Sequence, residues 1–198
     1  MGKEKAEPSG YVHTKKKSEW ITQIECAEFY DADFFRIIMF FLVCSLADQT
    51  SAFYKPLSMY GWVDPVRKKG GLREQLLGEL EKSEKIISKP DANDMKRALE
   101  DIGMAKGFPN GDHTERVCMV QTVKQENQIL ALFIHIRNVL AHGRIKISGA
   151  GDESVFFMED CQYIPDRKGY VVSARMILKK STLIKWIDII ESGMTMKA

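Results

Sequence analysis

The sequence predicts a mainly α protein, a helical bundle with a small β-hairpin near its C-terminal end. Three observations lead there. Apolar residues recur at spacings of three and four over most of the stretch from Ser18 to Gly143. That period gives way to runs of β-branched and aromatic residues at 154–158 and 169–178, on either side of a Pro165-Asp166-Arg167-Lys168-Gly169 turn. The chain has 198 residues, 44% of them hydrophobic, which suits one domain with a core of its own.

Residues 1–17 are polar, with Pro8, Gly10 and a Lys15-Lys16-Lys17 triplet. They are expected to form a flexible basic arm that solubilises the chain or touches phosphate. Residues 18–198 are expected to form a single domain. Trp20, Ile21, Ile24 and Ala27 open its helical pattern, and Asp31 to about Gln49 continues it. This second block is apolar nearly all round, from Phe34 through Val43, so it must be central or shared with a partner. Asp31 and Asp33 suit its N-terminus, where free N–H groups favour negative charge. Pro56, Gly61, Pro65, Gly70 and Gly71 make 50–70 a loop whose aromatics, Phe53, Tyr54, Tyr60 and Trp62, are expected to pack back on the core.

Leu72 to Ser88 reads as an amphipathic helix ended by Lys89-Pro90, and Asp91 as the cap of another reaching about Lys106. After a Gly107-to-Gly111 break, Thr114 is expected to open the longest helix, stopped by Gly143 because glycine tolerates positive φ. The β-hairpin then covers about 153–178, and Ser181 caps a final helix over about 181–191.

The composition excludes several classes. Lys plus Arg is 29 and Asp plus Glu 27, a net charge of +2, which argues against coating nucleic acid by bulk charge and leaves room for a local site. Cys26, Cys44, Cys118 and Cys161 are far apart and offer no zinc-ligand spacing, so they are expected as reduced thiols. The most apolar run, Phe34 to Val43, is about half the ~20 residues that span a bilayer, and no apolar stretch follows the basic residues near Met1. The expectation is a soluble cytoplasmic protein without membrane contact, metal or cofactor. Phosphate loops, nucleophile elbows and metalloprotease helices are absent from the sequence.

One cluster carries chemistry: Ile134-His135-Ile136-Arg137-Asn138-Val139-Leu140-Ala141-His142-Gly143-Arg144. Asn138 and His142 are four apart and share a helix face. Arg137 lies about 100° to one side, within swing of that face. Imidazole moves protons near neutral pH, arginine clamps a phosphate, and asparagine orients either. The trio suits metal-free cleavage of RNA by its own 2′-hydroxyl. One histidine is half of an acid–base pair, and a two-fold dimer would bring a second His142 across the axis. The same residues at a helix end also serve simply to bond the last carbonyls and the following loop.

Arg137-Asn138-Val139-Leu140-Ala141-His142 resembles the signature of the HEPN superfamily, an Arg with a polar residue after it and a His a few residues on. The continuation His142-Gly143, with Arg144 after it, is similar to many bacterial stand-alone members. The close resemblance covers about residues 127–147. It implies a bundle of four or five helices, a homodimer and a metal-independent endoribonuclease acting as a toxin or phage-defence effector, with a possible antitoxin or other protein partner. By position, Arg137 would stabilise the scissile phosphate, Asn138 would support it, and His142 would act as general acid or base. Glu126, eleven residues before Arg137 on nearly the same face, would orient it, with Arg144 as a further supporting residue. His135 projects elsewhere and is assigned to packing or an interface. The competing expectations are a non-catalytic HEPN module that binds RNA, nucleotide or a protein, and a regulatory interaction protein with no nucleic-acid role.

Overall fold

A computed structural model describes residues 12–14, 17–21, 31–46, 49, 51, 53–62, 71–80, 86–89, 94–105, 107–109, 111, 113–120, 128–165 and 168–193. In chain order these contain β1 (His13–Thr14), α1 (Ala32–Ile38) running into a π-helical turn (Met39–Val43), and a 3-10 turn (Leu57–Tyr60). Next come α2 (Leu72–Gly78), β2 (Ile86–Lys89), α3 (Met95–Asp101), β3 (Arg116–Val120) and α4 (Gln128–Ala141). The chain continues with β4 (Ile145–Ser148), β5 (Val155–Ile164), β6 (Gly169–Lys179) and α5 (Lys180–Ser192).

The strands form one sheet in the order β2-β3-β6-β5-β4, with β1 added to β6. β2 pairs parallel to β3, and the remaining pairs are antiparallel. A mainly α helical bundle is therefore not the architecture. The fold is mixed α and β, with the sheet at its centre.

The physical reasons for that correction are local. Within β3, Val117, Cys118 and Met119 are all buried, two against one face of the sheet and one against the other. A strand covered on both faces shows no period-two alternation, and its valines at 117 and 120 imitate a helical spacing. The single long helix expected from Thr114 is thus a strand followed by α4. The helix expected over 72–88 ends at Gly78, and its last apolar residues lie in β2. The helix from Asp91 is the shorter α3, and Asp91 itself lies outside the described residues. The arm expected over 1–17 includes β1, where His13 pairs with Val171 and Thr14 with Tyr170.

The hairpin and final helix stand where the sequence puts them, with longer strands. β5 and β6 pair from Val155↔Lys179 to Ile164↔Gly169, with Ser173 bulged out between the Asp160↔Ala174 and Cys161↔Val172 pairs. α5 starts one residue before Ser181, and its cap position, Lys179, makes no side-chain cap bond. Asp31 does cap α1, accepting from the Phe34 N–H at 2.7 Å, and its other oxygen accepts from Lys180 Nζ at 2.8 Å. The Lys180 bond, followed by that N–H, holds the Asp31 carboxyl below its ordinary range.

The larger core covers the sheet face under α1, α2, α4 and α5, where Ile37, Phe41, Leu76, Phe133, Ile136 and Trp186 meet Val117, Phe156, Met158 and Met176. The apolar run of α1 is largely consumed there. Phe41 packs on Phe133 with ring centroids 5.6 Å apart, and Phe35 remains exposed. Trp62 returns to the core as expected, donating to the Ile190 carbonyl at 3.0 Å, whereas Phe53 stays exposed. The smaller core on the other face joins Trp20, Met95, Leu99 and Met104 to Cys118, Phe157, Val172 and Ile177.

At the edge of that smaller core Glu159 and Arg175 are both fully buried. Arg175 Nη2 lies 2.7 Å from Glu159 Oε2 and 2.9 Å from Glu19 Oε2, and Nη1 donates to the carbonyls of Met104 and Ala105. The other Glu159 oxygen accepts from Ser18 Oγ, from the Glu19 N–H and, at 3.2 Å, from the Trp20 N–H. This pair fixes residues 18–20 against the sheet. Glu159→Gln leaves the buried guanidinium with only the half-exposed Glu19 as counter-charge and is expected to lower the unfolding free energy by about 3 kcal/mol in urea denaturation. Lys185→Ala, at the exposed Glu79 pair, should change it by less than about 1 kcal/mol.

Candidate functional site

The site is built on the C-terminal end of α4. The helix stops as expected at Gly143, whose φ of 62° lies in the left-handed region. The Arg144 N–H donates to the Val139 carbonyl at 2.9 Å and the Gly143 N–H to Leu140 at 3.3 Å, so the turn itself satisfies these two carbonyls of the last helical turn. This turn leaves His142 exposed on the last helical corner and sends Arg144 inward.

Under that corner lies Asp160, on β5. β4 pairs with β5 only as far as Ile145↔Met158, and β5 runs on beyond it. Asp160 is buried and points toward α4. Its Oδ2 sits 2.8 Å from His135 Nδ1 and accepts from Asn138 Nδ2 at 3.2 Å, and its Oδ1 accepts from Arg144 Nη1 at 3.4 Å. His135 Nε2 lies 2.9 Å from the Val120 carbonyl, so the ring bridges β3 and β5. Arg144 also donates to the Cys161 carbonyl at 2.7 Å, covering a backbone acceptor that β4 leaves open. Burial works against the charge on Asp160. The hydrogen bond and charge of His135, the Asn138 amide and the charge of Arg144 outweigh burial and hold its carboxyl below the ordinary range. Next to it, burial pushes the Cys161 thiol up, so this cysteine is a poor nucleophile.

Two cavities open beside His142. One, of about 360 Å³, is lined by His135, Asn138, His142, Asp160, Gln162 and Ser173 among others. The other, of about 590 Å³, is lined by Lys17, Ser18, His142, Arg144, Tyr163 and Tyr170 among others. His142 and Cys161 border both, so the imidazole stands on the ridge between them.

The structure brings Asn138 and His142 to one cavity, as their spacing expects. Arg137 lines neither cavity; its Nη1 donates to Asn138 Oδ1 at 3.3 Å and so fixes that amide from the side. Arg144 reaches Asp160 and the strand. Glu126 lies outside the described residues. His135, expected to project elsewhere on the helix, instead lies on the face of Asn138 and His142, since spacings of three and seven return to one side: it is buried, shares Asp160 with Asn138 and lines the same cavity as both. Asp160, the group that gathers this end of the helix, is not among the residues the sequence motif points to. Its signal was there: Glu159-Asp160 are two adjacent charges in the otherwise apolar run from Val155 to Cys161. Among the described residues no group of His, Cys, Asp and Glu is placed to hold a metal ion, and Cys44, Cys118 and Cys161 are free thiols. No helix among them is long and apolar enough to cross a membrane.

Comparison of the chain with protein-family models, with curated proteins and with solved structures gives no match.

The lowered titration of Asp160 has a definite sign. Its contribution to stability is complete above the ordinary carboxylate value of 3.8 and is lost as pH falls through the lower folded value. Asp160→Asn is therefore expected to be less stable at pH 7 by about 3 kcal/mol, with a shallower further loss below pH ~4 than the parent chain. Urea midpoints measured across that interval check it. Parallel pH curves for the two chains would contradict the assignment.

Proposed function

We propose that the chain is a metal-independent endoribonuclease, with His142 as the proton-transferring group and Arg137, which lines neither cavity within one chain, as the cation that a dimer brings to the scissile phosphate. The observation that carries this reading is the exposed imidazole of His142, set on a ridge between two open cavities beside an amide that Arg137 and Asp160 hold from both sides. The chemistry needs no other reagent. A base removes the proton from the ribose 2′-oxygen, that oxygen attacks phosphorus, and the bond to the 5′-oxygen breaks as an acid protonates it. The products are a 2′,3′-cyclic phosphate and a 5′-hydroxyl. Base and acid act on opposite sides of phosphorus, and a homodimer supplies them as His142 and the partner's His142. General acid–base help of this kind is worth about 10²–10⁴-fold.

The Arg-Asn-x-x-x-His spacing that resembles HEPN proteins supports this reading through the motif alone, since the scaffold around it is a sheet with helices on both faces. A cytoplasmic setting, a role as toxin or phage-defence effector and a possible protein antitoxin belong to the same proposal.

A second reading has its own observation. Asn138 and Arg144 both bond to Asp160, as residues of a purely structural helix end would. Under it the chain is a non-catalytic module that binds RNA, nucleotide or a protein. One assay separates the two. In the nuclease reading, purified dimer cleaves RNA in EDTA, leaves 2′,3′-cyclic ends, and loses about 10²–10⁴-fold in rate on His142→Ala. Arg137→Ala should lose a comparable factor. RNA left intact by a folded dimer would sink the nuclease reading, and cleavage unchanged in both variants would remove its site.

A further inference from the structure

The 590 Å³ cavity holds a pair of aromatic residues that the reaction above does not use. Tyr163 and Tyr170 are cross-strand partners near the turn end of β5 and β6, with ring centroids 5.1 Å apart and planes inclined at 59°. Tyr163 is 49% exposed, far above its neighbours in the sheet core, and both rings line the cavity. Lys17 and His142 line the same cavity, as does Arg144, whose Nη1 is already committed to Asp160 and the Cys161 carbonyl. The wall that carries Lys17 is held in place, because the next residues, Ser18, Glu19 and Trp20, all donate to the buried Glu159 carboxylate. The opposite wall is held by β1, which pairs Thr14 with Tyr170. An aromatic surface that shares a space this size with a lysine and an imidazole matches one nucleotide, whose base stacks and whose phosphate takes positive charge and hydrogen bonds. A duplex keeps its bases stacked inside and has none to offer such a surface.

We propose that this cavity binds one unpaired nucleotide of a single-stranded RNA, its base against Tyr163 and Tyr170 and its phosphate toward Lys17 and His142, and that it makes the protein select single strands over duplex. The inference rests on the nuclease reading for the identity of its ligand. It assigns to Tyr163 and Tyr170 a part in substrate choice that the Arg-Asn-x-x-x-His motif does not contain.

The test is fluorescence anisotropy of a labelled 2′-O-methyl RNA oligonucleotide, in which the blocked 2′-oxygen prevents cleavage. The full chain is expected to bind the single strand more tightly than the same sequence as a duplex. Tyr163→Ala should weaken single-strand binding by about tenfold, and Tyr163→Phe, which keeps the ring, should bind within about twofold of the parent. Circular dichroism confirms that the variants are folded. Equal binding of single strand and duplex, undiminished binding by folded Tyr163→Ala, or no single-strand binding by the parent chain would overturn the inference. Because the probe cannot be cut, the two proposals fail separately. Tyr163-dependent binding by a chain that leaves ordinary RNA intact keeps this inference and sinks the nuclease reading. Cleavage of ordinary RNA with Tyr163→Ala binding like the parent does the reverse.

Discussion

Two consecutive carboxylates on β5 organise the molecule. Side chains alternate across a strand, so Glu159 and Asp160 enter opposite faces of the sheet, and both are buried. A buried carboxylate is tolerated only with partners of opposite charge and hydrogen bonds to its oxygens. Glu159 finds Arg175, the Ser18 hydroxyl and the Glu19 and Trp20 N–H groups, and so docks that segment against the sheet. Asp160 finds His135, Asn138 and Arg144, and so ties the C-terminal end of α4 and the turn after it to the sheet. The walls on both sides of His142 are therefore set by neighbouring residues of one strand.

That arrangement explains how an exposed histidine can stand in a defined place. Among the described residues nothing holds the His142 ring directly, but the backbone beneath it is fixed three ways. Asn138, one turn earlier, is held by Arg137 and Asp160; Gly143 closes the helix; Arg144 is anchored to Asp160 and to the Cys161 carbonyl. A proton-transferring group needs such a mounting, since a small displacement from the reacting atoms costs rate steeply. The near-neutral charge of the chain is compatible with this, because a local cluster of cations needs little net charge.

The legibility of the fold in the sequence followed the visibility of its periods. The β5–β6 hairpin, α5, the Asp31 cap and the Gly143 stop announce themselves by alternation, turn chemistry, N-cap chemistry and the special φ of glycine. β3 did not, because burial on both faces removes the alternation that identifies a strand. β2 did not, because Ile87 falls on the helical face of Leu72, Leu76 and Leu80, one turn beyond the polar Ser83 and Glu84. With β1 and β4, two further strands outside the expected hairpin, β2 and β3 extend that hairpin into a six-stranded sheet. For the site, four-residue spacing correctly put Asn138 and His142 on one face. The sequence had no means of showing that Arg137 would bond sideways to Asn138, or that Arg144 would turn inward to a carboxylate sixteen residues later. Tertiary partners decide where long side chains point.

The account stands on the location of the nucleotide. A crystal structure of His142→Ala bound to a 2′-O-methyl RNA oligonucleotide measures it directly. The expected result is a phosphate next to position 142 within hydrogen-bond reach of Arg137 from one of the two protomers, and an unpaired base against Tyr163. An oligonucleotide seated on another surface, with the two cavities beside position 142 empty of it, would contradict both roles.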